Sequence, residues 1–340
     1  MPSLTHKQLV WTGAILGLAY GLFARLMFGL HKGSDTVFGV MSASFISGVP
    51  IVLGFISVWF GEYRQKYGWA RRVLTPWVPS LMFLACCLAL VWEGLICVIL
   101  WLPLMLILSS FGGILAGVVR LAFPSDRGRN YCVAVVAVLP FLAAPVESLR
   151  QASTEIRRVE TTIEINASPE AVWREIKSVS RIAESEQSFN FSHLLGFPRP
   201  TEAVLEGSGV GAVRYARFEG NVLFLERITE WKEPSRISFS IQADTKNIPP
   251  TTFDEHVTIG GPYFDVLNGT YWIESLGGHR VLLHLSSDQR LSTRFNFYSH
   301  LWTEALMANL QNYILRIIKV RCEKATSPAT SPAIVPRPIA

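Results

Sequence analysis

The chain has 340 residues, half of them hydrophobic and only 17% charged. Length alone argues for two or three domains, and so low a charged fraction excludes a wholly soluble protein of ordinary composition. The net charge of +5 sits entirely in the first half. Met1–Glu147 holds ten basic and five acidic residues, whereas Ser148–Ala340 holds 21 of each, so the basicity reads as membrane topology and not as a nucleic-acid footprint.

In chain order, Leu9–Leu30 and Val37–Phe60 are each long enough to cross a hydrocarbon core of about 30 Å. The first lacks a small-residue cleavage pattern and is read as a retained helix. Trp77–Leu121 is too long for one span and divides near Trp92–Gly94, giving segments around Pro79–Val91 and Leu95–Val119. Tyr131–Val146, with Pro140 and Pro145, is a shorter fifth span. The loops Tyr63–Arg72 and Arg120–Arg129 are strongly basic, which places them and the N-terminus in the cytoplasm and, with five spans, the C-terminal half outside. Arg150, Arg157 and Arg158 weigh the other way.

Charges near spans need a reason, because they are costly in lipid. Arg25 is placed to snorkel from the end of the first span. Glu93 reads either as an interfacial residue in a tight turn or as a buried carboxylate between helices. Gly112, Gly113 and Gly117 supply small-residue spacing for close helix packing. Cys86, Cys87, Cys97 and Cys132 lie in apolar segments and Cys322 stands alone, so neither a disulfide framework nor a CxxC site is expected.

The second half changes character. Arg158–Ile165 alternates as a strand. Ser168 then reads as an N-cap, Pro169 as the first helical residue, and Glu170 as a first-turn acid suited to the helix dipole. Strands are expected at Glu202–Glu206, Ala212–Phe218, Val222–Trp231, Arg236–Ile241, Tyr263–Glu274 and Val281–Ser287. The glycines of Gly207–Gly211 make a hairpin turn, without the strand–helix context that phosphate binding requires. Thr293–Arg321 has no Gly or Pro and repeats apolar residues at helical spacing through Trp302, Leu306, Leu310, Tyr313, Ile317 and Val320. An antiparallel sheet of this length curls, and the last helix must lay its apolar stripe on the concave face.

Ile163–Ile176 (IEINASPEAVWREI), Gly209–Phe218, Glu226–Ile241 and the terminal helix together resemble the START-related, or SRPBCC, helix-grip superfamily, which includes polyketide cyclase/dehydrase-like and lipid-transfer branches. The resemblance covers roughly residues 159–323. It covers none of the membrane half, where the apolar runs themselves give an α-helical membrane bundle of about five spans in 1–150; it implies an α+β helix-grip domain in 157–324. In that domain a curved antiparallel sheet wraps a long C-terminal helix. The Pro/Ser/Ala-rich remainder, 325–340, reads as a disordered tail. The resemblance also implies an apolar cavity for a hydrophobic ligand such as a lipid, quinone or polyketide. It carries over no catalytic residue.

The function expected is therefore membrane-anchored binding or transfer of such a ligand. The alternatives are a cyclase-, dehydratase- or isomerase-type enzyme, or a partner-docking module with a closed cavity. For the enzyme, His256 and Asp265 are the acid/base candidates, with His284 near them if their strands pair. A solvated loop at Asp254–His256 is the competing reading. Alternation puts Arg214, Ala216 and Phe218 on one side of a strand. Arg214 there either anchors an anionic head group or, as is commoner for an arginine, faces outward. Phe224, Tyr271, Trp302, Leu306 and Tyr313 are the pocket candidates, and each alone also fits plain core. No cofactor or metal is expected, the partners being a hydrophobic small molecule and the bilayer. Asn190–Ser192 and Asn268–Thr270 match glycosylation sequons.

Overall fold

The computed structural model describes residues 5–30, 37–63, 65–123, 126–244 and 258–326. The chain forms two compact units, the first comprising Met1–Glu155, Pro250–Phe264 and Leu291–Trp302, the second Ile156–Pro249, Asp265–Arg290 and Thr303–Ala340.

The first unit is helical: α1 (His6–Gly29), α2 (Val49–Gly61, entered through a π-helical turn at Ser44–Gly48), α3 (Trp69–Leu74), α4 (Trp77–Ala89), α5 (Leu95–Ala122) and α6 (Asp126–Ser148). Thr5 and Gln8 cap α1 reciprocally, each side chain accepting from the other's backbone N–H. Among the described residues five stretches are long and apolar enough to cross a bilayer: His6–Gly29, Ser44–Gly61, Trp69–Ala89, Leu95–Ala122 and Tyr131–Ser148. The third begins ten residues before Pro79, inside the segment read as a cytoplasmic loop. Arg72 makes this possible. It is buried, and its Nε donates to Glu62 at 2.6 Å, so the charge is neutralised within the fold.

Close packing of α2 on α5 depends on two glycines. A Cβ at Gly54 would strike the Ser109 carbonyl, and one at Gly112 the Ile51 carbonyl. Arg25 does not snorkel. Its Nε donates to Glu93 at 2.8 Å and a terminal nitrogen donates to the Trp92 carbonyl at 2.8 Å, so the carboxylate is met by an arginine 68 residues away. Glu147 holds the start of the second span: Ala43 N–H, Ser44 N–H and the Ser44 hydroxyl all donate to it, at 2.7, 2.8 and 2.5 Å. Phe295 joins this unit's core, and Tyr298 donates to the Leu100 carbonyl at 2.5 Å.

The second unit has a helix-grip fold. Its strands are β1 (Glu155–Ile165), β2 (Pro200–Glu206), β3 (Val213–Phe218), β4 (Val222–Lys232), β5 (Arg236–Asp244), β6 (Phe264–Val266), β7 (Asn268–Gly277) and β8 (Arg280–Leu291). They pair in the order β1-β8-β7-β5-β4-β3-β2, with β6 also on β8. The connection from β1 to β2 carries α7 (Pro169–Lys177) and α8 (Phe191–Leu194), and α9 (Asn296–Thr326) is the last described element. Ser168 caps α7 as expected, its hydroxyl accepting from Ala171 N–H at 3.3 Å.

Three expectations change. The single strand Tyr263–Glu274 is two, broken at Leu267, whose N–H turns to the Asp288 carbonyl while its own carbonyl accepts from Ile241. The apolar stripe of α9 is broader than its aromatic side: Leu315, Ile318 and Cys322 join Leu306, Tyr313 and Ile317 in burial, while Val320 is exposed. Asn190, read as a sequon, is the buried N-cap of α8, its side chain accepting from Ser192 N–H at 2.8 Å. The turn at Gly207–Gly211 needs its glycines, since Gly207, Gly209 and Gly211 have φ of 87°, 77° and 94°.

Breaking the Arg25–Glu93 pair from one side leaves a buried charge uncompensated. Glu93→Ala is expected to cost about 3 kcal/mol or more, read as a lower thermal midpoint of the detergent-solubilised chain. Arg25→Met combined with Glu93→Leu is expected to recover most of that loss. Equal losses in the single and double variants would mean the pair carries no charge-specific stability.

Candidate ligand-binding site

Strand alternation sorts the side chains of the curved sheet into two sets, and the register fixes which meet. Arg214 lies opposite Glu226, Ala216 opposite Phe224, and Phe218 opposite Val222. The same face continues through Ile228 opposite Phe239, Ile237 opposite Tyr271, and Tyr271 opposite Leu285. Ile228, Phe239, Tyr271 and Leu285 share one apolar core with Val172, Trp173 and Ile176 of α7 and Leu315 and Ile318 of α9. This is the covered face of the sheet, and Arg214 belongs to it rather than to the outside.

An arginine on an apolar face requires a counter-charge. Arg214 is 4% exposed and donates to Glu226 at 2.6 Å. Its guanidinium lies 5.3 Å from the Phe239 ring centroid and 5.9 Å from that of Tyr271, so two aromatic faces share the cation. Burial raises the Glu226 carboxyl above the ordinary carboxylate range, and the Arg214 charge opposes that rise. Burial likewise raises the Tyr271 phenol, against the same arginine. Arg214 Nε has no partner.

Other polar groups on this unit divide into satisfied and unsatisfied. Gln311 of α9 is satisfied: it donates to the Val159 carbonyl and the Ser287 hydroxyl at 3.2 and 2.8 Å, and accepts from Thr161 at 3.0 Å. Gln289 of β8 is the opposite case, 0% exposed with both amide atoms unpartnered. Trp173 Nε1, the Tyr313 hydroxyl and His193 Nε2 are buried without partners as well. Each such group costs about 1–3 kcal/mol when buried without a partner.

His193 is the residue that sequence reasoning missed. It sits on the single-turn helix α8, which Asn190 caps and Ser192 ties to Asn309 of α9 through its hydroxyl at 2.7 Å. His193 Nδ1 lies 3.0 Å from the Phe197 carbonyl. A carbonyl only accepts, so Nδ1 carries the proton and Nε2 is left as a bare acceptor. Burial pushes the imidazolium below its usual range, which keeps the ring neutral. The ring stands edge-on to Tyr313, centroids 4.7 Å apart at 82°. No spacing in Asn190–Pro200 singles this histidine out.

A cleft of about 550 Å³ opens at one end of the sheet, lined among others by Arg181, Glu202, Arg217, Phe218, Glu219 and Asp244. Arg217 pairs with Glu202 at 3.0 Å. Phe218 meets Phe224 edge-on at 5.1 Å, so the wall of the cleft is continuous with the covered face. The connection between α7 and α8 is fastened beside it by Arg321 of α9, which donates to Glu186 at 2.7 and 2.9 Å and to the Ser180 and Arg181 carbonyls at 3.1 and 3.0 Å.

Of the residues singled out from sequence, Arg214, Phe224 and Tyr271 lie on the covered face. Phe218 lies at the cleft, and Leu306 and Tyr313 on the buried side of α9. Trp302 falls in the helical unit, beside Tyr298. Asp265 turns its carboxylate to Val266 N–H at 2.8 Å, and His256 lies outside the described residues. His284 is on the opposite face of the sheet, stacked on Trp272 at 4.4 Å and 3.3 Å from Glu160.

Comparison with protein-family models and with curated proteins returns no match. Among solved structures, the chain is similar to a START superfamily protein from Mycobacterium smegmatis (13% identity over 49% of this chain and 98% of that one, TM-score 0.33). It is similar to a norcoclaurine synthase from Thalictrum flavum (13%, 52% and 100%, TM-score 0.33). It is also similar to an aromatase/cyclase from Streptomyces sp. R1128 (15%, 52% and 99%, TM-score 0.34).

The Arg321 guanidinium lowers the Glu186 carboxyl to about 2. A carboxyl whose folded value lies below its unfolded one stabilises fully above the unfolded value and loses that stability as pH falls through the folded one. The fastening is therefore expected to weaken between about pH 4.5 and pH 2. Hydrogen exchange of Ser178–Gln187, taken relative to the intrinsic amide rate at each pH, should rise across that window in the native chain. In Arg321→Met it should already be high at neutral pH, and a flat profile in both would show that the segment is held by something else.

Proposed function

We propose that this protein binds a hydrophobic, membrane-derived molecule against the covered face of its helix-grip unit and hands it on. The five apolar helices hold that unit at a bilayer. The observation that carries the reading is the set of buried polar atoms without partners on an otherwise apolar interior: Arg214 Nε, both amide atoms of Gln289, Trp173 Nε1 and the Tyr313 hydroxyl. A core meant only to be filled satisfies its polar groups or omits them. An interior meant to receive a guest keeps a few polar groups to orient it.

The domain plan proposed is a membrane region in 1–150, the ligand unit in 157–324 and a tail in 325–340. The basic residues following the second and fourth spans orient the N-terminus to the cytoplasm and the ligand unit to the other side. Tethering raises the effective concentration of a ligand that itself resides in the membrane, so modest intrinsic affinity suffices. On this reading Arg214 is a binding residue, its charge held by Glu226 until a ligand group approaches.

Native mass spectrometry of the full chain, extracted with its own lipids, tests the proposal. A discrete small molecule is expected to stay bound after the detergent is stripped. It should be lost from Ala216→Phe, which fills the covered face opposite Phe224, once gel filtration shows that variant to be folded. The same loosely held lipids in both forms would overturn the reading.

A further inference from the structure

Two buried polar atoms without partners belong to neighbouring rings, centroids 4.7 Å apart, and their chemistry is complementary. His193 Nε2 is a bare acceptor because Nδ1 is committed to the Phe197 carbonyl at 3.0 Å. Its edge-on neighbour Tyr313, 1% exposed, keeps a hydroxyl that has no partner and can donate. Glu219, on the wall of the cleft, accepts from Arg199 N–H at 3.3 Å. The charges of Arg199 and Glu219 both act on His193 and on Tyr313.

We propose that this pair recognises a hydroxyl group on an otherwise apolar ligand, the hydroxyl donating to His193 Nε2 and accepting from the Tyr313 phenol. The assignment rests on the binding reading above and narrows its ligand class to hydrophobic alcohols. Other head groups fit less well. A ketone, ester or carboxylate only accepts, so it satisfies Tyr313 and leaves the imidazole lone pair facing oxygen lone pairs. An ammonium only donates, which satisfies His193 and leaves the phenol bare. A hydroxyl does both at once. A trapped water would too, and the experiment separates the two.

The full chain in detergent is incubated with dodecanol, farnesol and a sterol, each in parallel with its methyl ether, and occupancy is read by native mass spectrometry. The ether keeps the shape and the acceptor but cannot donate. At least one alcohol is expected to bind about tenfold more tightly than its ether, the worth of one to two buried hydrogen bonds. In Tyr313→Phe, which removes only an unpartnered oxygen and so should fold, affinity for that alcohol is expected to fall several-fold. In His193→Phe the preference for alcohol over ether is expected to vanish. Equal binding of alcohol and ether, unchanged by Tyr313→Phe, would overturn the hydroxyl assignment, as a trapped water requires, while leaving the binding reading in place. Binding of none of the probes would overturn both.

Discussion

The strands of the second unit twist in one hand, so an eight-stranded antiparallel sheet curls, and a curled sheet presents a concave face that water must be kept from. Almost everything in the unit follows from how that face is covered. From Thr303 onward α9 belongs to this unit, and it meets the sheet on more than one stripe: Leu315 and Ile318 join the core, and Gln311 bonds Val159 and Ser287. The β1–β2 connection supplies α7, whose Trp173 and Ile176 join the core, and α8, which packs on α9 through Asn309. Burying so much surface makes every polar group on that face expensive, and this is why those that remain call for an explanation.

The same economy governs the helical unit. Arg25, Arg72 and Glu147 are each met within the fold, by Glu93, by Glu62, and by the backbone N–H groups at Ala43 and Ser44. Coulomb attraction in a low-dielectric setting offsets desolvation only where partners sit at hydrogen-bonding distance, as these do. Arg214 and Glu226 follow the rule in the second unit, with aromatic faces taking up part of the cation. The covered face thus combines one neutralised charge pair with several bare dipoles. On the proposed binding reading, such an interior suits a large apolar guest carrying few polar groups better than a charged one.

Much of this was legible in the sequence because it depends on local patterns. Apolar runs of span length, alternation in the strands and the Ser168–Pro169 start of α7 each need only a window of residues, and all appear in the fold. The inward side of β3 was readable as a set, Arg214 with Ala216 and Phe218, but not its sign, because a buried arginine is decided by Glu226 on the next strand. The pairing of Arg25 with Glu93 and the extension of the third span to Trp69 depend on partners brought together by tertiary structure. His193 was invisible for a related reason. Its role comes from a carbonyl four residues on and a tyrosine on the last helix, neither of which marks the sequence. The break at Leu267 shows the same limit, since its N–H and carbonyl are claimed by Asp288 and Ile241 on other strands.

Gln289 has a consequence of an evolutionary kind. A fully buried amide with no partner is a standing penalty, and leucine or methionine would fill nearly the same volume without it. Drift under selection for folding alone would remove such a glutamine, since most chains sit only just above their stability threshold. On the binding reading proposed above, a ligand that supplies the missing partner offsets that penalty. In a population evolved for thermal resistance without ligand, this position should be among the first to turn apolar.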